Sequence, residues 1–381
     1  MKGFKNAIIY KENVGLVKSS IQFENGKISS FKDGNDLLSL DDKLIIVPGF
    51  IDEHIHGANG SDVMYATDKD LSNIAKSIAM DGVTSFMPTT MSMDISSIKK
   101  ALNVIGNYSN EEGANVIGAH VEGPFISKKY CGAQDPKNII KADINTLKDL
   151  IDASNKKIKI ITIAPEETSL EVIEYLKDNN ILINAGHSDA SAMQSIEAFK
   201  NGITCLTHTY NAMRGIHHRD IGLLGEGLIH DEIYTELIAD LHHVSSEAIK
   251  FLYRNKPSEK IILITDSMEA RFLPNGEYEL GGQKVYVKDG VATLKSGVLA
   301  GSVLHMNEGI KNVKDVLGIS LIEAIDMATK NVANHLGLTN KGSIAIGKDA
   351  DLTIIDENLN VYMTIVNGKI VYQKENIINE K

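Results

Sequence analysis

The sequence predicts an α/β protein: a (β/α)8 TIM barrel with a small β-sandwich domain formed from both chain termini. Three observations lead there. From residue 44 to about 265 one phrase recurs, a short β-branched run, a polar loop and an amphipathic helical stretch. The runs are continuous in Val, Ile and Leu instead of alternating, the pattern of parallel strands buried on both faces. Both ends of the chain carry short strands set off by turn signals, which neither end can stabilise alone. A doubly wound open sheet is the alternative reading of the repeat.

Taken in order, residues 1–47 hold short strands broken by Glu24-Asn25-Gly26-Lys27 and Lys32-Asp33-Gly34-Asn35. They are expected to pair with residues 343–381, where Val366-Asn367-Gly368-Lys369 is a hairpin-type turn. The barrel is expected over 48–342. Its strand runs are 44–52, 82–89, 115–121, 157–164, 181–185, 204–208, 234–240 and 260–265, with helical stretches such as 70–80, 143–153, 169–179 and 191–201 between them. Residues 276–297, with Gly281-Gly282 and Lys288-Asp289-Gly290, read as an inserted pair of β-hairpins.

Composition narrows the function. A chain of 381 residues, 43% hydrophobic, can bury a large core. No apolar run approaches the roughly 18 residues of a membrane span, and no secretory signal is visible, so a cytoplasmic location is expected. Two cysteines, Cys131 and Cys205, exclude a disulfide framework. A net charge of −11 argues against nucleic acid as a partner.

Potential metal ligands stand at the ends of five strand runs. His54 and His56 alternate after the first, so on a strand both imidazoles aim at one spot. Glu122 follows the third, His187 the fifth, His208 the sixth and Asp266 the eighth. In a barrel the C-terminal strand ends share one mouth, which makes these residues neighbours. Each alone has a blander reading. His187 and His208 could donate to loop carbonyls, and Asp266 could cap a helix. Glu122, directly after an apolar strand, needs a cation. His120 reads as a bystander or an outer partner. Four imidazoles with two carboxylates suit Zn²⁺, Fe²⁺, Mn²⁺ or Co²⁺ better than Ca²⁺ or Mg²⁺. Six groups exceed what one catalytic zinc uses, so two ions bridged by Glu122 is the economical count.

These segments resemble a known family. Pro48-Gly-Phe-Ile-Asp-x-His-x-His-Gly57, Glu122-Gly-Pro-Phe125, Gly186-His187-Ser188, His208-x-Tyr-Asn-Ala-Met213, Ala239-Asp240-x-x-His243, Thr265-Asp266, Leu299-Ala300-Gly301-Ser302 and Gly342-Ser-Ile-x-x-Gly347-Lys-Asp-Ala-Asp351 are similar to the N-acetylglucosamine-6-phosphate deacetylase family of the amidohydrolase superfamily. The resemblance implies a metal-dependent hydrolase acting on a linear amide, with two divalent transition-metal ions per subunit, Zn²⁺ or Fe²⁺. It implies that Glu122, His187 and His208 hold one ion, and that His54, His56, Glu122 and Asp266 hold the other. It further implies a phosphosugar substrate bound by Ala133, Gln134, Asn211, Ala212, Arg219, His243, Leu299, Ala300 and Gly301. A homodimer is implied too, with Arg219 reaching the neighbouring site. The chain departs from the family at Gln134, where a His is common, and at Leu241-His242, where a Gly precedes the His.

The reaction so implied is hydrolysis of an acetamide to an amine and acetate. Asp266 is expected to take a proton from water and return it to the leaving amine. The phosphate is expected on the cationic loop Arg214, His217, His218 and Arg219, since Arg matches phosphate with two parallel donors. A cyclic amide or dipeptide substrate is a weaker alternative, because residues 160–166 offer no bridging lysine at the end of the fourth strand. The galacto epimer stays open, and an inactive scaffold would be expected to lack ligands.

Overall fold

Gly49 marks where the chain leaves one structural unit for the next. The sequence reads 44–52 as one strand, but the computed structural model breaks it there: Ile45–Pro48 joins a terminal sheet and Phe50–Ile55 enters the barrel. A Cβ at Gly49 would lie 2.2 Å from the side chain of Thr84, so only glycine permits this approach. Pro48-Gly49 is the one local turn signal in an otherwise apolar run, and it falls beside the expected boundary between residues 47 and 48. The structure describes residues 2–109 and 112–374; Met1 and residues 375–381 of the expected terminal segments lie outside the described residues.

Eight parallel strands follow among the described residues. Phe50–Ile55, Val83–Thr90, Ala119–Glu122, Ile158–Ile163, Leu182–Ala185, Ile203–Leu206, Tyr234–Ile238 and Ile261–Ile264 pair in sequence order. The last meets the first just past its end: Asp266 N donates to His54 O, and His56 N and Gly57 N donate to Ser267 O, each at 2.9 Å. Every residue of the first, second and eighth strands is buried, the polar ones of the first two included; the eighth runs apolar without alternation, as a strand covered on both faces does.

Caps set the helix boundaries. Over the expected 143–153 stretch, Asp143 stays outside and accepts from Thr146 N, so the helix is Ile144–Ala153. Ser191 and Gln194 form a reciprocal capping box ahead of Ala192–Asn201. Such caps stabilise a helix by about 1 kcal/mol each. Among the described residues no helix is long and apolar enough to cross a membrane.

Strands from the two ends of the chain share one sheet. Ile46 pairs with Ile9 on one side and Ile354 on the other, over a cluster of Phe4, Ile9, Ile21, Ile46, Ile354 and Met363. Asn367 and Gly368, with φ of 49° and 73°, join Val361–Val366 to Lys369–Gln373, the left-handed pair a tight hairpin needs. The insertion is a three-stranded antiparallel sheet, Gly276–Leu280, Gln283–Lys288 and Val291–Leu294. Its Leu280, Val285 and Ala292 pack on Met91, Met268 and Ala300 beside the barrel mouth.

Candidate metal centre

The six candidate ligands meet at the C-terminal rim of the barrel. His54 lies inside the first strand and His56 just past it; Glu122 ends the third strand. His187, His208 and Asp266 each stand two residues beyond a strand, with φ of 47°, 29° and 48°. Left-handed backbone is uncommon outside glycine and persists where neighbouring bonds fix it. At Asp266 those bonds run to His54 O and from Ser302 N, at 2.9 and 2.8 Å.

Glu122 is the hub. Its Oε1 lies 2.9 Å from His208 Nε2, 3.0 Å from His187 Nε2 and 3.7 Å from His54 Nε2, while Oε2 lies 3.3 Å from His56 Nε2. Asp266 Oδ1 faces His56 Nε2 at 3.1 Å and His54 Nε2 at 3.5 Å. All six side chains are buried.

The opposite edge of each ring decides what this cluster can hold. His56 Nδ1 lies 3.1 Å from Thr89 O, His187 Nδ1 2.9 Å from Tyr130 O, and His54 Nδ1 3.1 Å from the Glu236 carboxylate. These partners only accept, so each neutral ring carries its proton on Nδ1 and turns a lone pair inward from Nε2. The lone pairs meet carboxylate oxygens, and His187 Nε2 also meets His208 Nε2 at 3.0 Å. Electron pairs converging on electron pairs repel unless positive charge lies among them. His54 Nε2 and His208 Nδ1 have no hydrogen-bond partner among the described residues. The donor set, imidazole with carboxylate, is that of divalent transition metals.

The electrostatics agree. Burial opposes charge on His56, yet hydrogen bonds to Asp266 and Glu122 raise it to about 9. Burial would raise Asp266, yet the imidazoles of His54 and His56 hold it near 2. Glu122 is likewise held well below the carboxylate range, burial being outweighed by His54, His187 and His208. A pocket that attracts protons this strongly attracts a cation by the same charges.

An open cleft of about 700 Å³ above the hub is lined by Ala133, Gln134, Asn211, Ala212, His243, Leu299 and Gly301 together with His56, Glu122, His187, His208 and Asp266, while His54 is fully buried. Gln134 Oε1 accepts from Ser92 N at 2.8 Å, so its amide nitrogen turns toward His187 Nε2, 3.4 Å away. Asp240 Oδ2 fixes His243 through Nδ1 at 2.6 Å. Two expected substrate residues lie elsewhere. Ala300 is buried against the apolar cluster of Met91, Met268 and Leu280 and does not line the cleft. Arg219 is exposed, 2.9 Å from His218 Nε2, and does not line the cleft of its own chain. The expected cationic loop is also less free than its sequence: Arg214 pairs with Asp189 and Asp220, each at 2.9 Å. His120 lies beside the hub, its ring 4.6 Å from that of His54, with Nε2 paired to Thr162 Oγ1 at 2.8 Å.

Residues 45–371 match the model of the amidohydrolase family. The chain belongs to that family. It is similar to the N-acetylglucosamine-6-phosphate deacetylase of Lysinibacillus sphaericus, 41% identical over 87% of this chain and 86% of that one. It is also similar to the Bacillus subtilis (strain 168) protein of the same name, 38% identical over 97% and 96%. The crystal structure of the Thermotoga maritima N-acetylglucosamine-6-phosphate deacetylase superposes with a TM-score of 0.90 at 35% identity, covering 98% of this chain and 100% of that one.

The amidohydrolase superfamily is metal-dependent. Among the described residues four groupings have ligand atoms within 4.8 Å of one another: two at the cleft floor, His54, His56 and Glu122, and Glu122, His187 and His208, and two deeper, His54, His120 and Glu236, and Glu53, Cys205 and His335. Sequence reading missed three parts of this amidohydrolase's site. Met91 and Leu280 line the cleft from the apolar cluster, a role no local pattern announces. Glu236 was findable, as an acid inside the apolar run Tyr234–Ile238.

Proposed function

We propose that this chain hydrolyses the acetamide of N-acetylglucosamine-6-phosphate to glucosamine-6-phosphate and acetate, using two divalent transition-metal ions per subunit, Zn²⁺ or Fe²⁺. The observation that carries the reading is the hub itself: inward-facing imidazole lone pairs gathered on Glu122 and Asp266 at the floor of an open cleft. Glu122, His187 and His208 would hold one ion; His54 and His56, with Glu122 and Asp266, would hold the other. Bound cations of this type polarise an acyl oxygen and lower the pKa of water from 15.7 toward about 7.

The chain's own residues do the rest. Asp266, a carboxylate at neutral pH, accepts a proton from the attacking water and passes it to the departing nitrogen, first base and then acid. Gln134, its amide fixed by Ser92 N, donates from Nε2 to the acyl oxygen, where negative charge grows. His243, held by Asp240, and the Asn211-Ala212 segment line the cleft where the sugar phosphate sits. Arg219, exposed on its own chain, supplies a phosphate contact to the neighbouring subunit of a homodimer.

Comparison of kcat/KM on N-acetylglucosamine-6-phosphate, its unphosphorylated form and N-acetylgalactosamine-6-phosphate tests the reading. The first is expected to exceed the second by at least about 100-fold, the scale of a charge-assisted phosphate site. A preference for the unphosphorylated sugar contradicts it, and a preference for the galacto epimer reassigns the substrate.

A further inference from the structure

We propose that Glu236 is a positioning residue for the second cation, acting through His54; the inference rests on the two-cation reading above. Glu236 lies within the seventh strand and is fully buried. Its Oε2 accepts from His54 Nδ1 and from the backbone N of His208, both at 3.1 Å, and Oε1 accepts from Asn184 Nδ2 at 3.0 Å. One carboxylate thus touches a ligand from each of the two groups.

The two groups depend on it unequally. Among the inward-facing imidazoles, His56 and His187 are held at Nδ1 by neutral backbone carbonyls, and His208 Nδ1 has no partner among the described residues. His54 alone is held by an anion. A carboxylate behind a ligating imidazole fixes the tautomer, orients the ring and strengthens the inward nitrogen as a donor. Negative charge buried without compensation is costly, and here it is met first by His54, which leads to a cation beyond it, and also by His120, which groups with the two within 4.8 Å. Glu236 therefore favours occupancy of the His54/His56 position, while the Glu122/His187/His208 position relies on neutral supports.

Glu236→Gln tests this, because its amide oxygen can keep the bonds from His54 and His208 while the Asn184 amide, which now donates from Nδ2, turns over to accept from the new amide nitrogen through Oδ1, an atom with no hydrogen-bond partner among the described residues. The substitution removes charge and keeps shape. Zn²⁺ bound per chain is counted by mass spectrometry across a series of buffered free Zn²⁺ concentrations, with thermal melting followed on the same samples. Wild type is expected to bind two ions. In Glu236→Gln one midpoint is expected to rise about 10–100-fold, the usual effect of losing such an outer partner, with the other nearly unchanged. Two unchanged midpoints overturn the inference, and so does an equal rise in both. A wild type that binds fewer than two ions overturns the two-cation reading, and this inference with it. As a check that needs no change at Glu236, ¹⁵N resonances of wild-type histidines, with His54 assigned by its loss in His54→Asn, are expected to show His54 protonated on Nδ1. Protonation on Nε2 overturns the inference.

Discussion

The Nε2 atoms of His187 and His208 lie 3.0 Å apart, and both face Glu122 Oε1. Such a separation needs either a proton between the two nitrogens or a cation shared by them. Glu122→Gln removes the anion common to both proposed ion positions while changing almost no volume. It is expected to lower bound metal below one ion per chain and acetate release by more than about 100-fold, since even outer partners of metal ligands cost 10–100-fold. Metal content and rate within a factor of two of wild type would show that Glu122 is not the hub.

Asp266 is expected to act on protons as well as on the ion. Asp266→Asn keeps the shape and removes the base, so kcat is expected to fall about 10²–10⁴-fold. The ion on Glu122, His187 and His208 is expected to stay. Metal analysis beside single-turnover kinetics checks both halves, and near-normal turnover would take Asp266 out of the mechanism.

Gly49 tests the fold separately from the chemistry. An alanine there must displace the Thr84 side chain, where terminal sheet and barrel meet. Gly49→Ala is expected to destabilise by about 1–3 kcal/mol, read as a lower melting temperature, with bound metal per folded chain unchanged. An unshifted melting temperature would mean that the junction relaxes freely.

Lys256 gives a pH signature. Burial pushes its ammonium down from 10.5 to about 8, although Nζ donates to Gly227 O at 2.7 Å and to His230 O. Between pH 8 and 10.5 the unfolded chain holds this proton and the folded chain does not, so this residue's contribution to stability rises with pH. Below pH 8 both states are charged and the burial cost is felt in full. Against Lys256→Met, wild type is expected to gain relative stability from pH 8 to 10.5 in denaturant titrations. A difference constant across that range would place the lysine's titration near its ordinary value.

How legible this protein is from its sequence follows from what each residue needs. His187 and Asp266 could be placed because a parallel strand buried on both faces announces itself as an apolar run, and the first polar residue after it must be at the rim. The run 44–52 reads as one strand because Leu44, Ile45, Ile46, Val47, Phe50 and Ile51 are apolar on both sides of Pro48-Gly49, although that dipeptide is a turn signal beside the expected boundary at 47/48. Ala300 sits in a segment that reaches the cleft through Leu299 and Gly301, and which of three consecutive residues turns inward depends on packing against Met91 and Leu280. Arg214 looked free because its partners, Asp189 and Asp220, come from the segments either side of it in space. Glu236 was visible as an anomaly, but its meaning appeared only with His54 at 3.1 Å.

The most direct measurement is acetate release from N-acetylglucosamine-6-phosphate by protein stripped with a chelator, then titrated with Zn²⁺ or Fe²⁺ while bound metal is counted on the same sample. The stripped protein is expected to be inactive, with activity returning as ions bind and levelling off at two per chain. Full acetate release from metal-free protein would contradict the role assigned to Glu122, Asp266 and the four imidazoles gathered on them.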